Sequence, residues 1–69
     1  MNADTLRRAG LRCTDPAVYL YGATAQPGWV AVDSRGCRYW LSREIPEGIL
    51  CTHAEGPSFE KPILFPWGA

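Results

Sequence analysis

Cys13, Cys37, Cys51 and His53 are the residues of this 69-residue chain best equipped for chemistry. They make four soft ligands, the number a closed tetrahedral zinc site takes. Cys51 and His53 stand two apart, so on a strand both would face the same way. The spacing argues against zinc, because there is no Cys-x-x-Cys knuckle and structural sites place at least one ligand pair on a tight turn. Free cysteine is among the most buried residue types, so Cys37 and Cys51 read as small core residues and His53 as a strand end. The expectation is no metal and no cofactor, with these four residues the only zinc set on offer.

A Cys–His nucleophile pair, Cys51 or Cys37 with His53, is the only enzymatic arrangement the residue types allow. Residues at i and i+2 of a strand lie about 6 to 7 Å apart, beyond hydrogen-bond reach. No segment supplies an obvious oxyanion hole. The carboxylates fall singly on expected turns, and the seven glycines are spaced as turn punctuation, without a phosphate-binding loop. The chain reads as a binding protein and not as an enzyme.

The side chains with most to offer a partner are Tyr19, Tyr21, Trp29, Arg38 and Trp40. If Val18, Leu20, Val30, Val32, Tyr39 and Leu41 build the core, period-2 alternation leaves these five on the opposite face of the sheet. Tyr, Trp and Arg are the types enriched in interface hot spots. The alternative is that the N-terminal helix or the C-terminal arm covers this face and makes it a second small core.

Composition bounds the rest. A hydrophobic share of 46% with 20% charged residues is that of a folding chain. At this length one core is the limit, burying about 60% of the unfolded surface and worth roughly 3 to 5 kcal/mol. No apolar run approaches the ~20 residues of a membrane span, and the N-terminus lacks a basic region leading into an apolar one, so a cytoplasmic location with reduced thiols is expected. Net charge is zero but unevenly spread. Residues 1–43 hold six arginines against three aspartates, and residues 44–69 hold Lys61 against four glutamates. Attraction between the two parts within one fold is the simplest expectation.

The elements that position these side chains follow from local signals. Asn2 can cap a helix over residues 3–11, stopped by Gly10 and the Asp15-Pro16 pair. Alternation over Ala17–Tyr21 reads as a first strand. Gln26-Pro27-Gly28-Trp29 suits a type II turn, and Trp29–Val32 a second strand. Asp33-Ser34-Arg35-Gly36 joins it to a return strand, Cys37–Arg43, as a three- or four-residue hairpin loop with Gly36 in the left-handed region. Ile45-Pro46-Glu47-Gly48 is another turn, and Ile49–His53 a fourth strand. After Ala54-Glu55-Gly56-Pro57-Ser58, Phe59–Trp67 is apolar but interrupted by Pro62 and Pro66, which confine it to a sheet edge or an extended arm. The expected fold is a mainly β, small α+β domain: a four- or five-stranded antiparallel meander, with an SH3-like barrel as its closed form, and a short N-terminal helix. It is one domain over 1–69, with a helix-containing segment at 1–14, the meander at 17–53 and the arm at 57–69.

Small single-domain inhibitors encoded by phages and mobile elements, anti-CRISPR proteins among them, are similar to this chain in size and simplicity, without a shared motif. That similarity implies an inhibitor of a larger protein or nucleoprotein complex. The competing expectation is a single-stranded nucleic-acid platform in which bases stack on the aromatics and arginines hold phosphates. Neutral net charge favours a protein partner over nucleic acid. No membrane contact is expected, and a homodimer through an uncovered face or edge is open.

Overall fold

The computed structural model describes residues 1–55 and 61–68. The end of the turn expected after Ala54 and the start of the arm, residues 56–60, lie outside the described residues.

The protein is a small α+β domain: an open five-stranded antiparallel sheet in meander order with two short helices at the N-terminal end. The strands are β1 (Arg12–Cys13), β2 (Val30–Val32), β3 (Arg38–Ile45), β4 (Gly48–His53) and β5 (Ile63–Pro66). The sheet does not close, so the SH3-like barrel is not adopted; β1 and β5 stand at opposite edges. Pro62 and Pro66 confine the last strand to such an edge, as their missing N–H groups require.

The first helix, α1 (Ala3–Arg8), starts where the cap predicts, the Asn2 side chain accepting the Thr5 N–H at 2.9 Å. The strand expected over Ala17–Tyr21 is instead a second helix, α2 (Pro16–Leu20). Its Asp15 carboxylate accepts the Ala17 N–H at 2.9 Å, and Pro16 occupies the first turn, where no N–H is needed. Asp15-Pro16 thus begins a helix and ends none: α1 stops at Arg8, short of the expected residue 11, and β1 lies between. Five residues are too few for alternation to separate the two periods. Of the two residues assigned to the core there, Val18 is buried, but Leu20 is 71% exposed.

The hairpin between β2 and β3 forms with Gly36 at φ +86°, and its register decides which face every nearby side chain takes. Asp33 donates its N–H to the Cys37 carbonyl at 3.1 Å, leaving a three-residue loop, Ser34–Gly36. Ala31 therefore pairs with Tyr39, while Val30 and Val32 pair with Trp40 and Arg38. A four-residue loop would have put the two valines beside Tyr39; one residue fewer inverts the strand. Val30 and Val32 leave the expected core, and Ala31 takes their place, fully buried.

The core lies between the helices and one face of the sheet, here called the inner face. Leu6, Ala9, Leu11 and Val18 meet Ala31, Tyr39, Leu41, Ile49 and Cys51. Two layers suffice for a chain this short, and among the described residues they cover only one side of the sheet. At the far end Trp67 joins the layers. Its indole N–H donates to the Pro46 carbonyl at 3.0 Å, the Arg8 guanidinium lies 5.0 Å from its ring centre, and the Gly68 N–H donates to the Arg8 carbonyl.

Candidate functional site

On the outer face, antiparallel pairing places side chains in transverse rows. One row is Arg12, Val32 and Arg38; the next is Val30, Trp40 and Thr52; a third is Arg43, Leu50 and Leu64. A bulge at Ser42, between Leu41 and Arg43, keeps Arg43 on the outer side. The rows put aliphatic side chains beside Trp40, with arginines at both ends. Trp40 is 43% exposed and Leu64 44%, values high for large apolar groups in so small a protein. None of these rows contains a carboxylate.

Both ion pairs among the described residues lie elsewhere: Arg7 with Asp4 at 2.7 Å and Arg35 with Asp33 at 3.4 Å. Each is internal to residues 1–43, so among the described residues no ion pair joins the basic and acidic parts of the chain. Among the described residues the attraction expected between those parts is not expressed as side-chain pairing. Arg12, Arg38 and Arg43 instead face outward around apolar surface.

The five residues singled out for binding do not form one surface. Arg38 and Trp40 stand on the outer face, in neighbouring rows. Tyr19 and Tyr21 belong to α2 and its C-terminal cap, because the segment is helical, and Tyr21 is 82% exposed. Trp29 is on the inner side with Ala31, half-buried against the core. Val30, Val32, Leu50 and Leu64, with Arg12 and Arg43, fill the places expected for the other aromatics. Arg12 lay in the helix-containing segment and Leu64 in the stretch expected at a sheet edge or as an extended arm, whereas the two valines needed only the correct loop length.

The inner end of the β2–β3 hairpin holds the one buried charged residue found among those described, Asp33. Its carboxylate accepts the N–H groups of Arg35 and Cys37 at 2.9 and 3.0 Å and the Tyr39 hydroxyl at 2.9 Å. Burial pushes this carboxyl up, but the bonds from Cys37, Tyr39 and Arg35 outweigh it and hold the group below its ordinary value. Burial and the hydrogen bond to Asp33 raise the Tyr39 phenol. Tyr39 packs edge-on against Phe65 and tilted against His53, with ring centres 4.9 and 5.0 Å away. This network ties the loop to the core.

The four soft ligands are not brought together. Cys13 lies on β1 and Cys51 with His53 on β4, three strand spacings or about 14 Å across the sheet. Cys37 is exposed at the hairpin, and no group of three metal-ligating side chains occurs among the described residues. Cys51 is fully buried, and burial pushes its thiol up to about 12, away from the thiolate that nucleophilic attack needs.

At the β1 edge the outer face runs into an open cleft of about 510 Å³ lined by Arg12, Cys13, Thr14, Tyr19 and Val32. The Tyr19 hydroxyl oxygen accepts the Cys13 N–H, and the Thr14 hydroxyl donates to the Val30 carbonyl at 3.0 Å. No helix among the described residues is long and apolar enough to cross a membrane. Comparison of the chain with protein-family models, with curated proteins and with solved structures finds no match.

Proposed function

We propose that this chain is a protein-binding module whose outer sheet face docks on a larger protein, at a surface that is apolar in the centre and acidic at its rim. The observation that carries this reading is the composition of the outer rows: Trp40 among aliphatic side chains, flanked by Arg12, Arg38 and Arg43, with no carboxylate between them. An apolar centre within a charged rim is the anatomy of a specific protein interface, and Trp and Arg are its usual anchors. Size agrees with it. The molecule extends 33 × 22 × 21 Å, so its broad face matches the roughly 800 Å² per partner of a standard interface. A protein with one such face works by occupying its target's surface, which fits an inhibitor of a larger protein or complex, of the kind phages and mobile elements encode.

Two other occupants fit less well. A nucleic-acid platform needs several rings to stack on, and among the described residues of these rows Trp40 stands alone beside aliphatic groups that have no π face. A face-to-face homodimer would bring like-charged arginines together across a two-fold axis.

The test is capture from host lysate, nuclease-treated and untreated, by the wild-type chain and by Trp40→Ala, with what is retained identified by mass spectrometry and the best candidate purified for direct binding. A defined protein that binds wild type and loses affinity with Trp40→Ala supports the outer face. Retention of nucleic acid alone, released by moderate salt, would replace this reading with the stacking platform.

A further inference from the structure

The cleft at the β1 edge is continuous with the outer face, because Arg12 and Val32 belong to both. Its lining is not neutral. Arg12 brings a guanidinium, and among the described residues no carboxylate lines the cleft. Tyr19 brings a hydroxyl whose oxygen is already engaged as acceptor of the Cys13 N–H, which leaves its own proton to donate. Accepting one hydrogen bond polarises a hydroxyl and strengthens the bond it gives. The Arg7 guanidinium lies over the Tyr19 ring, 5.8 Å from its centre. A planar cation and a fixed hydroxyl donor at one concave site match a group with two acceptor oxygens and one negative charge. Val32 supplies an apolar wall for the methylenes that carry it.

We infer that this cleft takes the carboxylate of an aspartate or glutamate side chain of the protein that docks on the outer face, with Arg12 and Tyr19 as its two donors. The inference rests on the outer-face reading and gives it an anchor point: Trp40 supplies apolar contact at the centre, and the cleft receives one acidic side chain at the rim. A phosphate dianion would call for more positive charge than one guanidinium provides.

The site is testable before any partner is known. Amide resonances of the full chain would be followed by NMR during titration with N-acetyl-glutamate methylamide, with the neutral glutamine analogue, and with inorganic phosphate. The glutamate compound is expected to shift Arg12, Cys13, Thr14, Tyr19 and Val32 saturably, and the glutamine compound is not. Arg12→Gln, an exposed change that leaves the core untouched, should weaken the glutamate response about tenfold, the size of one charge-assisted hydrogen bond. Lys61→Gln removes the same charge from outside the cleft and should titrate as wild type. An equal response to glutamine, an unweakened Arg12→Gln, or tighter binding of phosphate would overturn the assignment. Failure of the cleft alone, with Trp40→Ala still losing the captured protein, would leave the outer face standing. A cleft that titrates while Trp40→Ala keeps its partner would sink the face and keep the cleft.

Discussion

Gly48→Ala should come close to unfolding this protein, and the reason lies in the sheet, not in a turn. Gly48 opens β4 and pairs with Pro66 of β5. A Cβ at this position would overlap the Phe65 carbonyl oxygen and come within 2.8 Å of Pro66 Cα and 2.9 Å of the Phe65 carbonyl carbon. All three atoms are backbone, so no rotamer change relieves the overlap; β5 has to move. Overpacking against rigid neighbours costs about 1 to 3 kcal/mol, and a strand displaced from its ladder places the loss at about 3 kcal/mol or above. A domain of this size has roughly 3 to 5 kcal/mol to lose. Gly28→Ala is the matched control: its φ is +95° but nothing lies within 4 Å of the added carbon, so only the backbone cost of about 1 kcal/mol applies. Urea unfolding followed by tryptophan fluorescence measures both variants. In thermal melts the losses correspond to about 12 to 24 °C for Gly48→Ala and about 4 to 8 °C for Gly28→Ala. If the two variants unfold within about 1 kcal/mol of each other, the close approach of β5 to Gly48 is refuted. A fall in the slope with urea would show β5 leaving before the rest of the sheet.

Trp40→Ala removes a ring that is 43% exposed, so it should lower the unfolding midpoint and, in protein that is still folded, weaken the purified partner by about 2 kcal/mol, close to thirtyfold; a calorimetric titration with unaltered affinity would remove Trp40 from the interface. Arg38→Ala should act mainly on the association rate and flatten its salt dependence, read by surface plasmon resonance; an effect confined to dissociation would contradict a rim position. Asp33 binds its proton more weakly folded than unfolded, so its contribution is full above the ordinary carboxylate value and disappears as pH falls through the lower folded value. Acid titration of stability should therefore show a limb that Asp33→Asn flattens, and an unchanged limb would disprove the assignment. Native alkylation followed by mass spectrometry should modify Cys37 quickly and spare Cys51, whose thiol is fully buried and pushed up to about 12; rapid labelling of Cys51 would mean that the core opens.

The parts of the fold that were legible in the sequence are those written in local chemistry. Asn2 and Gly36 each act through their own backbone neighbourhood, and the cap and the hairpin turn stand where those residues put them. Pro62 and Pro66 announce an edge because a missing N–H has the same meaning in any sheet. What was not legible depends on counting across a loop or on ambiguous punctuation. Asp15-Pro16 is compatible with an end and a beginning, and α2 follows from the second sense. The face taken by Val30 and Val32 depends on whether the loop holds three residues or four, and the buried Asp33 carboxylate favours three, by accepting from Arg35 within the loop and from Cys37 on the return side. An aspartate beside Ser-Arg-Gly looks like exposed turn chemistry, so its inward direction had no sequence signal. The candidate site inherits that uncertainty: Arg38 and Trp40 were visible from alternation within β3, whereas their aliphatic neighbours were hidden by the register.

The Tyr19 hydroxyl has a further role in what the sheet refuses to do. Thr14 directs its N–H inward to Val30, so the preceding N–H, that of Cys13, points away from the sheet along the open side of β1. That is the group a stray strand from another molecule would seize first, and the Tyr19 oxygen already occupies it. At the opposite boundary Pro62 and Pro66 bring no N–H at all. A concentrated solution of this protein is thus guarded against growth by strand addition at both margins, even with an apolar face in the open. Whatever self-association it shows should be saturable and reversible, not the unlimited stacking that leads to fibres.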